Sequence, residues 1–214
     1  LWQAYDEESG IQDIQICLGS FYRTCDVVQP LSVERGLRLW TMTLTNLLDG
    51  LYYYATIIVA NRAGAIVTAT SDGFLVDASP PLCGHTYDGD GADRSWIGRS
   101  LQLPVSWVTH RDSTSGVASY SVAFVETDAA PTAYVGAFVD VGLASTAWVP
   151  ADALDHNVFY RAVVRVHDGV GFVTDCPSDG FKLDYTPPTP GRLLSKLSPP
   201  GATPNVQTVA HTVH

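Results

Sequence analysis

Ser71-Asp72-Gly73-Phe74-Leu75-Val76-Asp77-Ala78-Ser79-Pro80-Pro81 returns as Ser178-Asp179-Gly180-Phe181-Lys182-Leu183-Asp184-Tyr185-Thr186-Pro187-Pro188, at a constant offset of 107 residues. The same offset carries Leu47 to Leu154, Tyr53 to Tyr160, Ala55 to Ala162, Val59 to Val166, Gly64 to Gly171 and Gly84 to Gly191. Upstream, Ser9-Gly10-Ile11 answers to Ser115-Gly116-Val117 and Trp2 to Trp107, with the drift of one or two residues that small loop insertions give. The matches fall on one face of a strand and in its flanking turns, where a repeated fold would hold them. A period of this size is that of a whole domain, so the chain reads as tandem modules.

The Pro-Pro pairs are the natural boundaries, because proline is stiff and cannot continue a hydrogen-bonded ladder. The expected organisation is a module at 1–79 lacking its first strand or strands, a complete module at 80–186, and a linker with the start of a third module at 187–214. Val209 to His214 stands where the complete module has Leu101 to Trp107. The chain ends are therefore out of phase with the modules, and the expected parent is a longer tandem array.

Within each period, short runs rich in Val, Ile, Thr and Tyr alternate apolar and polar residues, the pattern of half-buried strands. Tyr53, Ala55, Ile57 and Val59 share one face, as do Tyr160, Ala162, Val164 and Val166, with Arg161 and Arg165 opposite. No window shows a capped helical stripe. Five to seven strands per module, separated by turns such as Leu48-Asp49-Gly50 and Asp155-His156-Asn157, predict an all-β chain of antiparallel sandwiches.

The stretch from Leu47 to Gly64, with its Gly50 turn, Tyr53, alternating small and branched residues, Asn61 and Gly64, resembles the E–F corner and F strand of fibronectin type III domains. Leu154, Tyr160 and Gly171 repeat the pattern, although Asp168 replaces the Asn. Trp2 and Trp107 resemble the core Trp of strand B in that family. The Ser-Gly loops and Asp-x-x-Pro-Pro linkers resemble a divergent subgroup found in long arrays of cell-surface proteins. The resemblance implies that Trp2, Trp107, Tyr53 and Tyr160 are structural, the tyrosine hydroxyls closing a corner onto backbone a few residues upstream.

Four cysteines remain to be placed, and their spacings suit no zinc site. In a sandwich of this connectivity Cys17 lies on the third strand and Cys25 just beyond its turn, while Cys83 opens the complete module and Cys176 lies early on its last strand. The expected disulfides are Cys17–Cys25 and Cys83–Cys176, with buried free thiols as the alternative. Disulfides imply an extracellular or cell-surface setting.

Charge narrows the function further. The 214 residues carry 12 basic and 22 acidic side chains, a net charge of -10, which argues against a phosphate backbone as partner. Charged residues make up only 16% against 46% hydrophobic, the opposite of a disordered chain. No apolar run is long enough to span a membrane as a helix. His110-Arg111-Asp112 copies a kinase triplet without the accompanying Asn or glycine loop. No nucleophile elbow, His-Glu-x-x-His or phosphate loop occurs, and a Ser–His–Asp triad is recognisable only by geometry. His211 and His214, three apart on a strand, point to opposite faces.

No catalytic, cofactor-binding or metal residue is therefore assigned. The Asp88-Gly89-Asp90-Gly91-Ala92-Asp93 loop offers alternating carboxylates to Ca²⁺, but it fails the EF-hand spacing and reads first as a solvated turn, as does Asp6-Glu7-Glu8. There is no N-glycosylation sequon, and O-linked sugar near Thr186 to Pro190 or Ser198 to Pro200 competes with a plain stiff linker.

The expectation is a non-enzymatic structural segment, a semi-rigid rod packing in a filament, sheath or matrix. Its partners would be neighbouring modules, other copies or other extracellular proteins. The alternative is a receptor or adhesin segment binding a protein or glycan through loops at one pole. A third class is an accessory module of a carbohydrate-active enzyme.

Overall fold

A computed structural model of the chain describes residues 2–127 and 134–191. Contacts divide the chain into two compact units, Leu1–Asp184 and Tyr185–His214. The Val209 to His214 match, the His211 and His214 pair and the Ser198 to Pro200 stretch lie outside the described residues, as does most of 187–214.

The described chain is all-β. The first group of strands is β1 (Ile11–Gly19), β2 (Val28–Ser32), β3 (Tyr52–Asn61), β4 (Ile66–Thr70) and β5 (Phe74–Leu75). They form one antiparallel sheet ordered β2-β1-β3-β4, with β5 on the first residues of β3. Among the described residues no second sheet is formed within 2–79.

Between the two Pro-Pro pairs run β6 (His85–Tyr87), β7 (Trp96–Ile97), β8 (Gln102–Val108), β9 (Val117–Glu126), β10 (Tyr134–Gly142), β11 (Thr146–Pro150), β12 (Phe159–Asp168), β13 (Val173–Pro177) and β14 (Phe181–Leu183). One sheet is ordered β10-β9-β12-β14-β7 with β13 also on β12, and the other β11-β8-β6. These nine strands exceed the expected five to seven. Strands of two or three residues, such as β7 and β14, are too short for alternation to show.

Side-chain alternation explains how these sheets close a core. In β11, Ala147 and Val149 are buried while Thr146, Trp148 and Pro150 are exposed. Leu103, Val105 and Trp107 of β8 are buried at every second position, and so are Tyr160, Ala162, Val164 and Val166 of β12. Phe124 and Phe181 meet edge-on at 5.6 Å, and Trp107 meets Tyr120 at 5.4 Å. Each such aliphatic or aromatic side chain contributes about 1.5–3 kcal/mol by leaving water. On the outer face Arg165 forms a two-pronged pair with Asp175, 2.7 and 2.9 Å, and its guanidinium lies 3.9 Å from the Phe138 ring centroid.

The repeat is visible as hydrogen bonds. Tyr53 Oη accepts from the Leu48 amide and Tyr160 Oη from the Asp155 amide, each at 2.9 Å. The Trp2 amide donates to the Arg38 carbonyl as the Trp107 amide donates to that of Ser145. The Ala55 amide donates to Ser71 Oγ at 3.1 Å, and that of Ala162 to Ser178 Oγ at 3.0 Å. Two residues on, Gly73 and Gly180 hold φ of 92° and 110°, a region that favours glycine. Trp107 is buried with its indole Nε1 unpartnered, whereas Trp2 is half-buried.

Cys17 is bonded to Cys25 and Cys83 to Cys176, with Cα separations of 5.3 and 5.4 Å. Cys176 is the fourth of five residues in β13 and β14 follows it, so it does not lie early on the last strand. The second bridge spans 93 residues and ties the start of the sandwich to β13.

Candidate functional site

The segment joining the two groups of strands is tied at both ends. Asp49, in the turn before β3, accepts from the Ala78 amide at 2.8 Å and from Ser79 Oγ at 2.9 Å. Asp77 Oδ1 accepts from the Ser79 amide, and its Oδ2 from the Ser115 amide at 3.1 Å, in the loop before β9. Just beyond Pro81, Leu82 and Arg111 exchange backbone hydrogen bonds of 2.8 and 3.1 Å. The Asp77 carboxyl is held below its usual range, chiefly by the Ser115 hydroxyl.

Three carboxylates meet there. One oxygen each from Asp77, Asp112 and Asp168 lies within 4.8 Å of the other two. Asp112 precedes β9 and turns the chain with its Oδ1, which accepts from the amides of Thr114, Ser115 and Gly116. Asp168 ends β12 and does the same for Val170, Gly171 and Phe172 at 2.7–3.0 Å. Its side chain is buried, 4% exposed, and its Oδ2 has no hydrogen-bond partner. The ion pair of Arg165 with Asp175 lies elsewhere on the sandwich.

The equivalent place in the first repeat is built differently. Asp6 Oδ1 accepts from Ser9 Oγ and from the amides of Ser9 and Gly10, as Asp112 does with its loop. Asn61 stands where the second repeat has Asp168, and its Oδ1 caps the Ala63 and Ala65 amides. Its amide Nδ2 donates to Asp6 Oδ2 at 3.0 Å. That bond is the first cause of the low Asp6 pKa, about 2. Replacing Asn61 by Asp168 keeps the turn and turns a donor facing a carboxylate into a second carboxylate.

A second acidic group, Asp88, Asp93 and Asp179, includes part of the loop read as a solvated turn. That reading is corrected for Asp88, which is 1% exposed. Its oxygens accept from Ser178 Oγ at 2.7 Å and from the amides of Gly180 and Ala162 at 3.0 and 3.3 Å. Burial pushes its pKa up to about 6 despite these donors. Asp88 is an internal acceptor that ties the loop after β6 to the β12 and β14 region; Asp90 and Asp93 are exposed.

The residues of the accidental kinase triplet separate. His110 is buried, accepts from the Gly84 amide at 2.7 Å, and is pushed toward its neutral form by burial and by His85. Ser121 Oγ and His167 Nε2 come to 3.4 Å, but among the described hydrogen bonds no carboxylate orients that imidazole. Tyr52 and Phe159 are exposed, whereas Tyr54 is half-buried edge-on against Tyr22. No helix among the described residues is long and apolar enough to cross a membrane.

A scan against known protein families finds no match, and neither does a search of curated proteins. Among solved structures, the chain is similar to the crystal structure of chicken CNTN1 FN1–FN3 domains, at 14% identity and a TM-score of 0.32. That alignment covers 84% of this chain and 59% of the other.

Proposed function

We propose that the chain is a non-enzymatic structural segment of an extracellular tandem-repeat protein, built from fibronectin-III-like modules at 1–79 and 80–186 with a further module beginning in 187–214. The observation that carries this reading is that the residues matched across 107 positions hold the fold. Tyr53 and Tyr160 close corners, Ser71 and Ser178 receive strand amides, and Gly73 and Gly180 turn the chain. Two disulfides support an oxidising compartment. Asp49 and Asp77 bond the Asp-x-x-Pro-Pro linker to the modules it joins, which supports a stiff junction rather than a free hinge.

Lateral packing in a filament or sheath is the finer part of the proposal. Tyr52, Phe74, Trp96, Trp148 and Phe159 are exposed on strands, whereas Tyr5, Phe21, Tyr22 and Phe172 are exposed in loops. Contacts spread along strands suit a scaffold better than a ligand-binding pole. Sedimentation velocity of the full chain from micromolar to millimolar concentration tests it. Reversible association weakened by Trp148→Ser supports lateral packing; a monomer throughout, or association indifferent to Trp148, Tyr52 and Trp96, contradicts it.

A further inference from the structure

We propose that Asp77, Asp112 and Asp168 form a Ca²⁺ site at the junction between the two repeats, so that the cation binds the linker to the loops of the following sandwich. The expectation of a chain without a metal site is given up on three observations. First, the three carboxylates converge from separate segments, their oxygens within 4.8 Å of one another. One ion with ligands at about 2.4 Å bridges such a span. Second, Asp168 Oδ2 is buried and has no partner, although Oδ1 of the same group receives three amides. A buried carboxylate oxygen requires a proton, a donor or a cation. Third, the first repeat supplies the missing donor: Asn61 Nδ2 bonds Asp6 Oδ2 at the equivalent place.

The chemistry favours a hard cation. All three groups are oxygen ligands, which suit Ca²⁺ or Mg²⁺ and not the softer metals. Ca²⁺ tolerates irregular geometry and accepts waters and carbonyls to complete six to eight ligands, whereas Mg²⁺ demands a near-ideal octahedron. The Asp88, Asp93 and Asp179 group lacks the second observation, since both Asp88 oxygens already accept from protein donors. The site does not depend on the packing role proposed above: a cation here fixes one linker to one loop pair, whatever the array does.

The repeat also says what the site is for. Asp77 belongs to the Asp-x-x-Pro-Pro linker, while Asp112 and Asp168 belong to the next sandwich. Bound Ca²⁺ thus adds a ligand bond across the junction already bridged by Ser115.

The test uses the full 214-residue chain and Ca²⁺ alone. Thermal melts are run in chelator and then across CaCl₂, with MgCl₂ and NaCl at matched ionic strength as comparisons. The expected result is a saturable rise in melting temperature with an apparent Kd of about 10⁻⁴–10⁻³ M, the range of extracellular modules. Asp168→Asn, which restores the arrangement of the first repeat, should melt no lower than the parent in chelator and lose the Ca²⁺ response at least about tenfold in affinity. Asp77→Asn should weaken binding without unfolding the sandwich. No shift at millimolar Ca²⁺ overturns the proposal. So does a response that survives Asp168→Asn but vanishes in Asp179→Asn, which would move the ion to the other acidic group.

Discussion

Removing the Tyr160 hydroxyl separates the hydrogen bonding at the corner from the packing around it. The side chain is 2% exposed, and its ring lies 6.1 Å from that of Phe181. Phenylalanine keeps that ring in place, so Tyr160→Phe removes the hydroxyl that accepts from the Asp155 amide, a 2.9 Å bond across the corner before β12. A lost hydrogen bond of this kind costs roughly 0.5–1.5 kcal/mol, and an amide left without a partner costs more, so about 1–2 kcal/mol is expected. If the sandwich melts alone, each kcal/mol lowers the midpoint by about 4–8 °C; if it melts with the preceding sheet as one larger unit, by about 2–4 °C. Differential scanning calorimetry of the full chain reads both the shift and the cooperativity. Tyr134→Phe is the control, because the Tyr134 hydroxyl meets Asp175, which Arg165 already holds. Its expected effect is within about 0.5 kcal/mol. A Tyr160→Phe variant that melts with the parent, or no lower than Tyr134→Phe, would refute this corner as a structural tie.

Other outcomes follow from the same geometry. Replacing Cys83 and Cys176 by Ser frees a 93-residue loop and should cost about 4–5 kcal/mol on the chain-entropy estimate, against about 2–3 for the eight-residue Cys17–Cys25 loop; denaturant midpoints compare them. Gly180→Ala should cost about 1–3 kcal/mol, since φ is 110° and a Cβ would stand 2.8 Å from the Tyr160 carbonyl oxygen. Asp88 has a folded pKa of about 6 against an ordinary 3.8, so its contribution is fully present below the lower value and is lost as pH rises through the upper one. The stability of the parent relative to Asp88→Asn should therefore fall by roughly 2–3 kcal/mol between pH 4 and pH 7 in chemical denaturation, and a constant difference would contradict that buried carboxyl.

Much of the architecture was legible because its signals are local or periodic. The alternation in β11 and β12, the tyrosine five residues after its amide partner and the glycines at 73 and 180 all lie within short windows. Asp88 was not legible. Between glycines it looks like turn chemistry, while the Ser178 and Gly180 groups that bury it stand 90 and 92 residues away. The carboxylate cluster was half legible. Asp168 stood out as the residue that breaks the Asn61 match, but its consequence required Asp112 and Asp77 to be brought beside it by the fold. The short strands β7 and β14 escaped because two or three residues carry no period.

Modules joined end to end by a stiff linker, as proposed above, would give the chain an elongated outline, and small-angle X-ray scattering of the full chain in solution reads that outline. A compact 214-residue globule has a radius of gyration of about 17 Å. The proposed end-to-end arrangement gives a clearly larger value, a skewed distance distribution and a cross-section matching a single sandwich. A value near 17 Å with a symmetric distribution would contradict it.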